Sequence, residues 1–124
     1  MSNVKKVKCD KSEITEDVYT LLHRDVGMPE ILTVMAEEAS EVAQAALKLR
    51  RAMLTVSEPE YANVTPVDSN CALADLVDEI ADLVCTVDAL QIVDENMIEY
   101  IDGYALYKAR RWYNRIKSKS QRGM

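Results

Sequence analysis

Two acidic pairs with the same spacing, Glu38-x-x-Glu41 and Glu79-x-x-Asp82, each lie in a helix-patterned stretch, and no other side chains in this sequence are better equipped for chemistry. Residues three apart project from one side of an α-helix, so two such helices laid together would aim four carboxylates into one space. A single Glu-x-x-Glu is ordinary on a solvated helix face. Two of them, both flanked by apolar residues, need another account, because four uncompensated negative charges repel strongly. Divalent cations relieve that repulsion. An all-oxygen donor set suits Mg²⁺, with Mn²⁺ as a substitute, whereas zinc or copper would recruit His or Cys.

The rest of the sequence narrows the choice by what it lacks. The only glycines are Gly27, Gly103 and Gly123 and the only histidine is His23, which excludes a glycine-rich phosphate cradle and the two-histidine H-E-x-x-H zinc site. A nucleophile–histidine system would have to use His23, which lies in helical pattern and is read as a surface residue. Cys9, Cys71 and Cys85 are odd in number and show no C-x-x-C spacing, so they read as reduced packing thiols in a cytoplasmic protein. No apolar signal segment follows the Lys-rich start and no apolar run is long enough for a membrane span. The net charge of −6 is unevenly spread: no acidic residue follows Asp102, while Lys108, Arg110, Arg111, Arg115, Lys117, Lys119 and Arg122 do. Such an acidic body argues against a nucleic-acid partner.

At 124 residues the chain is expected to form a single all-α domain, four-helix-bundle-like, with an ordered core over about 12–117 and flexible ends. The first helix is expected from about Glu13 to Arg24, ended by Gly27. The second opens with Pro29 in its first turn and runs to about Met53. A loop over 54–69, containing Pro59 and Pro66, leads to the third helix, about Cys71 to Val93, which Asp68, Ser69 or Asn70 can cap. Asp94 is expected to cap the fourth, about Glu95 to Lys117, with Met97, Ile98, Ile101, Tyr104, Ala105, Trp112 and Ile116 on its core side. On a helical wheel the second helix buries Ile31, Leu32, Met35, Ala39, Val42, Ala43, Ala46 and Leu49, with Glu38 at the margin and Glu41 just beyond. The third helix is apolar over a wide arc, leaving Asp75, Glu79 and Asp82 on one strip. Like charges so stacked ask for a counter-cation.

Cations held this way have polyphosphate as their natural ligand, because Mg²⁺ completes its octahedron with phosphate oxygens and acidifies an attacking water. Lys48, Lys108 and Arg111 are placed to neutralise phosphate oxygens, and Glu37 or Glu41 to orient or deprotonate the water. The expected reaction is metal-assisted hydrolysis of a phosphoanhydride.

The segments Met35-Ala-Glu-Glu-Ala-Ser-Glu-Val-Ala-Gln-Ala-Ala-Leu-Lys48 and Leu76-Val-Asp-Glu-Ile-Ala-Asp-Leu-Val84 resemble the MazG-like all-α nucleoside triphosphate pyrophosphohydrolases, whose signature is Glu-Glu-x-x-Glu followed by Glu-x-x-Asp. The chain matches it at Glu37, Glu38, Glu41, Glu79 and Asp82, and the likeness covers roughly Glu30 to Arg115. It implies an oligomeric four-helix fold, a homodimer or homotetramer. It also implies Mg²⁺ dependence and α–β cleavage of (d)NTPs to monophosphate and pyrophosphate in nucleotide-pool housecleaning. Glu38, Glu41, Glu79 and Asp82 would be the metal ligands. Gln44 and Lys48 after the first motif, with Lys108 and Arg111 on the last helix, look like the substrate-binding residues of short members. The stretch between Glu41 and Glu79 is longer than the family usually has, so the 54–69 loop puts substrate choice in question. Phosphoribosyl-ATP pyrophosphohydrolase is the nearest enzymatic alternative, and a non-catalytic helical interaction module with merely solvated acids is the alternative of another class. Tyr100, Tyr104, Tyr107, Trp112 and Tyr113 are read as core and interface filler before base-stacking groups.

Overall fold

The computed structural model describes residues 4–7, 20–57 and 68–122, which are helical nearly throughout, with no strand among them. By backbone contact the chain divides after Ala89 into two units. The first contains a π-helical turn, α1 (Leu22–Val26), and two long helices, α2 (Met28–Ser57) and α3 (Ser69–Asp88). The second contains α4 (Met97–Arg122). Residues 8–19 and 58–67, which hold Cys9, most of the expected first helix and the two loop prolines, lie outside the described residues, as do both extreme ends.

Gly27 separates α1 from α2. Its N–H donates to the Leu22 carbonyl at 3.0 Å and its φ of +88° is a conformation that L side chains rarely adopt. Pro29 follows in the first turn of α2, where its missing N–H leaves no bond unmade, and Thr33 Oγ1 donates to the Pro29 carbonyl at 3.1 Å. The helix then runs to Ser57, so residues 54–57, expected as loop, are its last turn. No glycine or proline lies between Pro29 and Pro59, and the residue before a proline resists helical geometry. Asp68 caps α3, its carboxylate accepting from the Asn70 N–H at 3.0 Å. The helix ends at Asp88, earlier than Val93, and tightens into a 3₁₀ turn, Ala89–Ile92.

α2 and α3 pack against each other with an antiparallel register: Lys48 of α2 meets Asp75 of α3, and Glu41, earlier in α2, meets Glu79, later in α3. Among the residues of α2 withdrawn from solvent, Ile31, Met35, Glu38, Val42, Ala45, Leu49 and Ala52 form one row, beside which Met28, Lys48 and Leu54 are also half-buried. The row alternates steps of four and three, the 3.5-residue repeat of a helix–helix seam. On α3 the corresponding row is Ala72, Leu76, Glu79, Leu83 and Thr86. This corrects the wheel: Glu38 is in the seam and not at its margin, while Leu32, Ala39, Ala43 and Ala46, expected in the core, are exposed. A straight 3.6-residue wheel drifts by about 20° per heptad and misplaces residues over so long a helix. Among the described residues, three of the four buried apolar side chains on α2 and α3 are alanines, Ala45, Ala52 and Ala72, so the seam is narrow.

In the second unit, Asp94 Oδ1 accepts from the Asn96 N–H at 2.9 Å and the Asp94 carbonyl from the Met97 N–H at 3.0 Å, so Asp94 caps the turn that leads into α4. The helix passes Gly103 without interruption and continues to Arg122, beyond the expected end at Lys117. Met97 and Ile98 are half-buried, but Ile101, Tyr104, Ala105, Trp112 and Ile116 are exposed, contrary to the core role expected of them. Among its described residues the second unit has no other long helix to cover them. Cys71 and Cys85, read as packing thiols, are exposed as well.

Asp68→Ala is expected to lower unfolding free energy by about 1 kcal/mol through loss of the α3 cap, measured by urea denaturation. An unchanged midpoint would show that the cap contributes nothing.

Candidate metal centre

Each helix of the α2–α3 pair places one carboxylate in the seam and one on its flank. Glu38 and Glu79 are the half-buried seam residues; Glu41 and Asp82, one turn on, are exposed flank residues. Glu38, Glu41 and Glu79 each bring one carboxylate oxygen within 4.8 Å of the other two. Asp82 stands outside that triangle, yet close enough that its charge acts on both Glu38 and Glu79. Glu37 is exposed beside Glu38.

No donor reaches Glu38 Oε2 or Glu79 Oε2, although both oxygens are buried. A buried polar atom without a partner is costly, and here two point into one acidic cluster. The cost appears as proton affinity. Glu38 is raised above its ordinary value, first by desolvation and then by the charges of Glu41 and Asp82. Glu79 is pushed up to about 7, chiefly by a hydrogen bond shared with Glu41, then by desolvation and by the charges of Glu41, Asp82 and Glu38. The raised Glu79 favours holding a proton beside Glu41 over leaving both carboxylates charged. The donor set, all oxygen with two buried lone-pair sites unanswered, also fits a hard divalent cation.

Below the cluster the flank of α2 turns from acid to base. Glu41, Gln44, Ala45, Lys48 and Arg51 line one wall of an open groove of about 580 Å³, and Asp75 and Glu79 of α3 line the other. Lys48 Nζ is 3.0 Å from Asp75 Oδ2. Asp75 therefore has the counter-cation that the acidic strip of α3 requires, and Glu79 has none among the described ion pairs. With both side chains substantially exposed, the Lys48–Asp75 pair stabilises by at most about 1 kcal/mol.

The first unit therefore brings together Glu38, Glu41 and Glu79, with Gln44 and Lys48 along the adjoining groove and Asp82 and Glu37 at its acidic margin. Lys108 and Arg111 belong to α4, where with Trp112 and Arg115 they surround a depression of about 270 Å³, and the Arg111 guanidinium lies 5.9 Å from the Tyr107 ring centre. Arg51 was not singled out from sequence. Its signal was there, because Gln44, Lys48 and Arg51 are spaced i, i+4 and i+7 on one helix face. Compared with known proteins, the chain matches no family model, no curated protein and no solved structure.

The raised Glu79 fixes the sign of a pH effect. Between its ordinary value of 4.5 and about 7 the folded protein holds a proton that the unfolded chain has released. The stability from that proton is complete below pH 4.5, falls as pH rises to about 7, and is lost above it. The melting temperature of chelator-treated protein is expected to fall across this window, and Glu79→Gln to flatten much of the slope. An identical slope in the variant would place the proton elsewhere.

Proposed function

We propose that the protein is a Mg²⁺-dependent nucleoside triphosphate pyrophosphohydrolase that cleaves the α–β phosphoanhydride of (d)NTPs, as its resemblance to the MazG-like family implies. The observation that carries this reading is the convergence of Glu38, Glu41 and Glu79 with two buried oxygens left without a donor. Glu38, Glu41 and Glu79 would hold the cation, with Asp82 beside them. When bound, Mg²⁺ would neutralise phosphate charge and make an attacking water more acidic. The protein's own part begins with Lys48 and Gln44, which line the groove leading from the cluster and present donors to phosphate oxygens. Glu37 and the exposed edge of Glu41 are the carboxylates able to take the proton of the water. As its oxygen bonds to the α-phosphorus, the bond from that phosphorus to the α–β bridging oxygen breaks. Pyrophosphate leaves with the electron pair. Lys108 and Arg111 remain candidates for further phosphate neutralisation.

Self-association belongs to the same reading. Leu32, Leu47, Val77, Ile80 and Val84 in the first unit, and Tyr104, Trp112 and Ile116 on α4, are large apolar residues left exposed by a single chain. Monomeric proteins seldom leave such rows uncovered, and closed symmetric homo-oligomers are the usual remedy. Light scattering after size exclusion is expected to give a dimer or tetramer mass. A monomer at micromolar concentration would remove this part of the proposal.

Incubation with Mg²⁺ and a panel of ribo- and deoxyribonucleoside triphosphates, with products resolved by phosphorus NMR, is expected to give monophosphate and pyrophosphate. Glu38→Gln and Glu79→Gln are each expected to lower kcat/KM by at least about a hundredfold while the fold persists. Orthophosphate as the product, or full activity in both variants, would overturn the assignment.

A further inference from the structure

The groove beside the acidic cluster changes sign along its length, and the change is built into one helix face. Glu41, Gln44, Lys48 and Arg51 follow one another along α2, so the wall runs from a carboxylate through a neutral amide to an ammonium and a guanidinium. From Glu41, Lys48 is seven residues and Arg51 ten residues further on, about 10 and 15 Å along the helix axis. Ala45, almost wholly buried, forms the floor between these side chains and keeps it low. A ligand that answered only the acidic end would be a cation; one that answered only the basic end would be a simple anion. A groove with both ends matches an extended polyanion that carries cations at one end and bare phosphate oxygens at the other.

We infer that Arg51, acting with Lys48, forms a terminal-phosphate subsite that selects nucleoside triphosphates over diphosphates. The inference rests on the pyrophosphohydrolase reading and deepens it. With α–β scission beside Glu38, Glu41 and Glu79, a triphosphate has two further phosphates to lay along the groove toward Lys48 and Arg51, and a diphosphate has one. Arg51 supplies a planar fork suited to two oxygens of one phosphate, while Lys48 supplies a compact charge nearer the cluster. The Lys48–Asp75 pair is exposed and therefore weak, so Lys48 can turn from Asp75 to phosphate at little cost. Asp75 then works against diphosphates: where no terminal phosphate takes up the ammonium, Lys48 stays with its carboxylate.

The test uses the full chain with Mg²⁺ and inorganic tripolyphosphate or pyrophosphate as probes, with binding measured by calorimetry, alongside steady-state kinetics on matched nucleoside tri- and diphosphates. Wild type is expected to bind tripolyphosphate at least tenfold more tightly than pyrophosphate. Arg51→Ala is expected to lose most of that preference by weakening tripolyphosphate, and Arg51→Lys to recover part of it, charge being kept without the fork. KM for triphosphates should rise about tenfold in Arg51→Ala with a smaller change in kcat. The rise in melting temperature on adding Mg²⁺ should match wild type, because Arg51 lies outside the carboxylate cluster. Equal preference for tripolyphosphate in wild type and Arg51→Ala, with Mg²⁺ stabilisation and hydrolysis intact, would overturn this inference alone. A wild type that neither gains stability from Mg²⁺ nor binds either probe would overturn the hydrolase reading and this inference with it.

Discussion

Glu38 and Glu79 occupy positions that the 3.5-residue spacing of the α2–α3 seam would ordinarily give to apolar side chains, and the character of the site follows from the cost of keeping charge there. Desolvation and mutual repulsion raise both groups, two oxygens are left without donors, and the cluster must take up a proton or a cation to be at rest. A carboxylate on an outer helix face can relax into solvent at almost no cost. These two cannot turn away without pulling the seam with them, which is why the same residue type reads differently at Glu38 and at Glu37.

The flank residues are meaningful only through that seam. Glu41 and Asp82 are exposed and, taken singly, unremarkable as helix-surface acids. One turn from a buried partner, each becomes the solvent-facing half of a pair whose other half is fixed. The arrangement therefore separates two duties: holding position, which falls to the seam members, and exchanging ligands or protons with water, which the flank members are free to do. Lys48 extends the same logic away from the cluster, partly satisfied by Asp75 but held so weakly that a stronger anion can draw it off.

The all-helical class, the second, third and fourth stretches and the acidic residues that meet were legible in the sequence, because helical periodicity sets which side chains share a face and short-range caps such as Asp68 and Asp94 mark where helices begin. The placement of Glu38 was not. A wheel at 100° per residue treats the helix as isolated, whereas its partner imposes a 3.5-residue repeat and rotates the buried face by the amount that separates margin from seam. Ala45 and Ala52 escaped notice for the same reason, being no more apolar than Ala39 or Ala43, and only the register with α3 distinguishes them. The fate of α4 was illegible for a different cause. Its amphipathic stripe shows that a cover is needed, and periodicity along one chain cannot say whether that cover comes from the same molecule.

Ala45 lies one heptad beyond Glu38, and with Ala52 and Ala72 it gives the buried layer its thinness. The breadth of the chamber between the carboxylates is consequently dictated by methyl groups that need never meet its occupant, in the way that shims set the jaws of a vice. A branched side chain at any of the three would wedge the helices apart and move the carboxylate oxygens together with the backbones that carry them. On the proposed metal reading, ion radius and the depth of the neighbouring trough would be tuned from within the hydrophobic layer, without one change among the acids themselves.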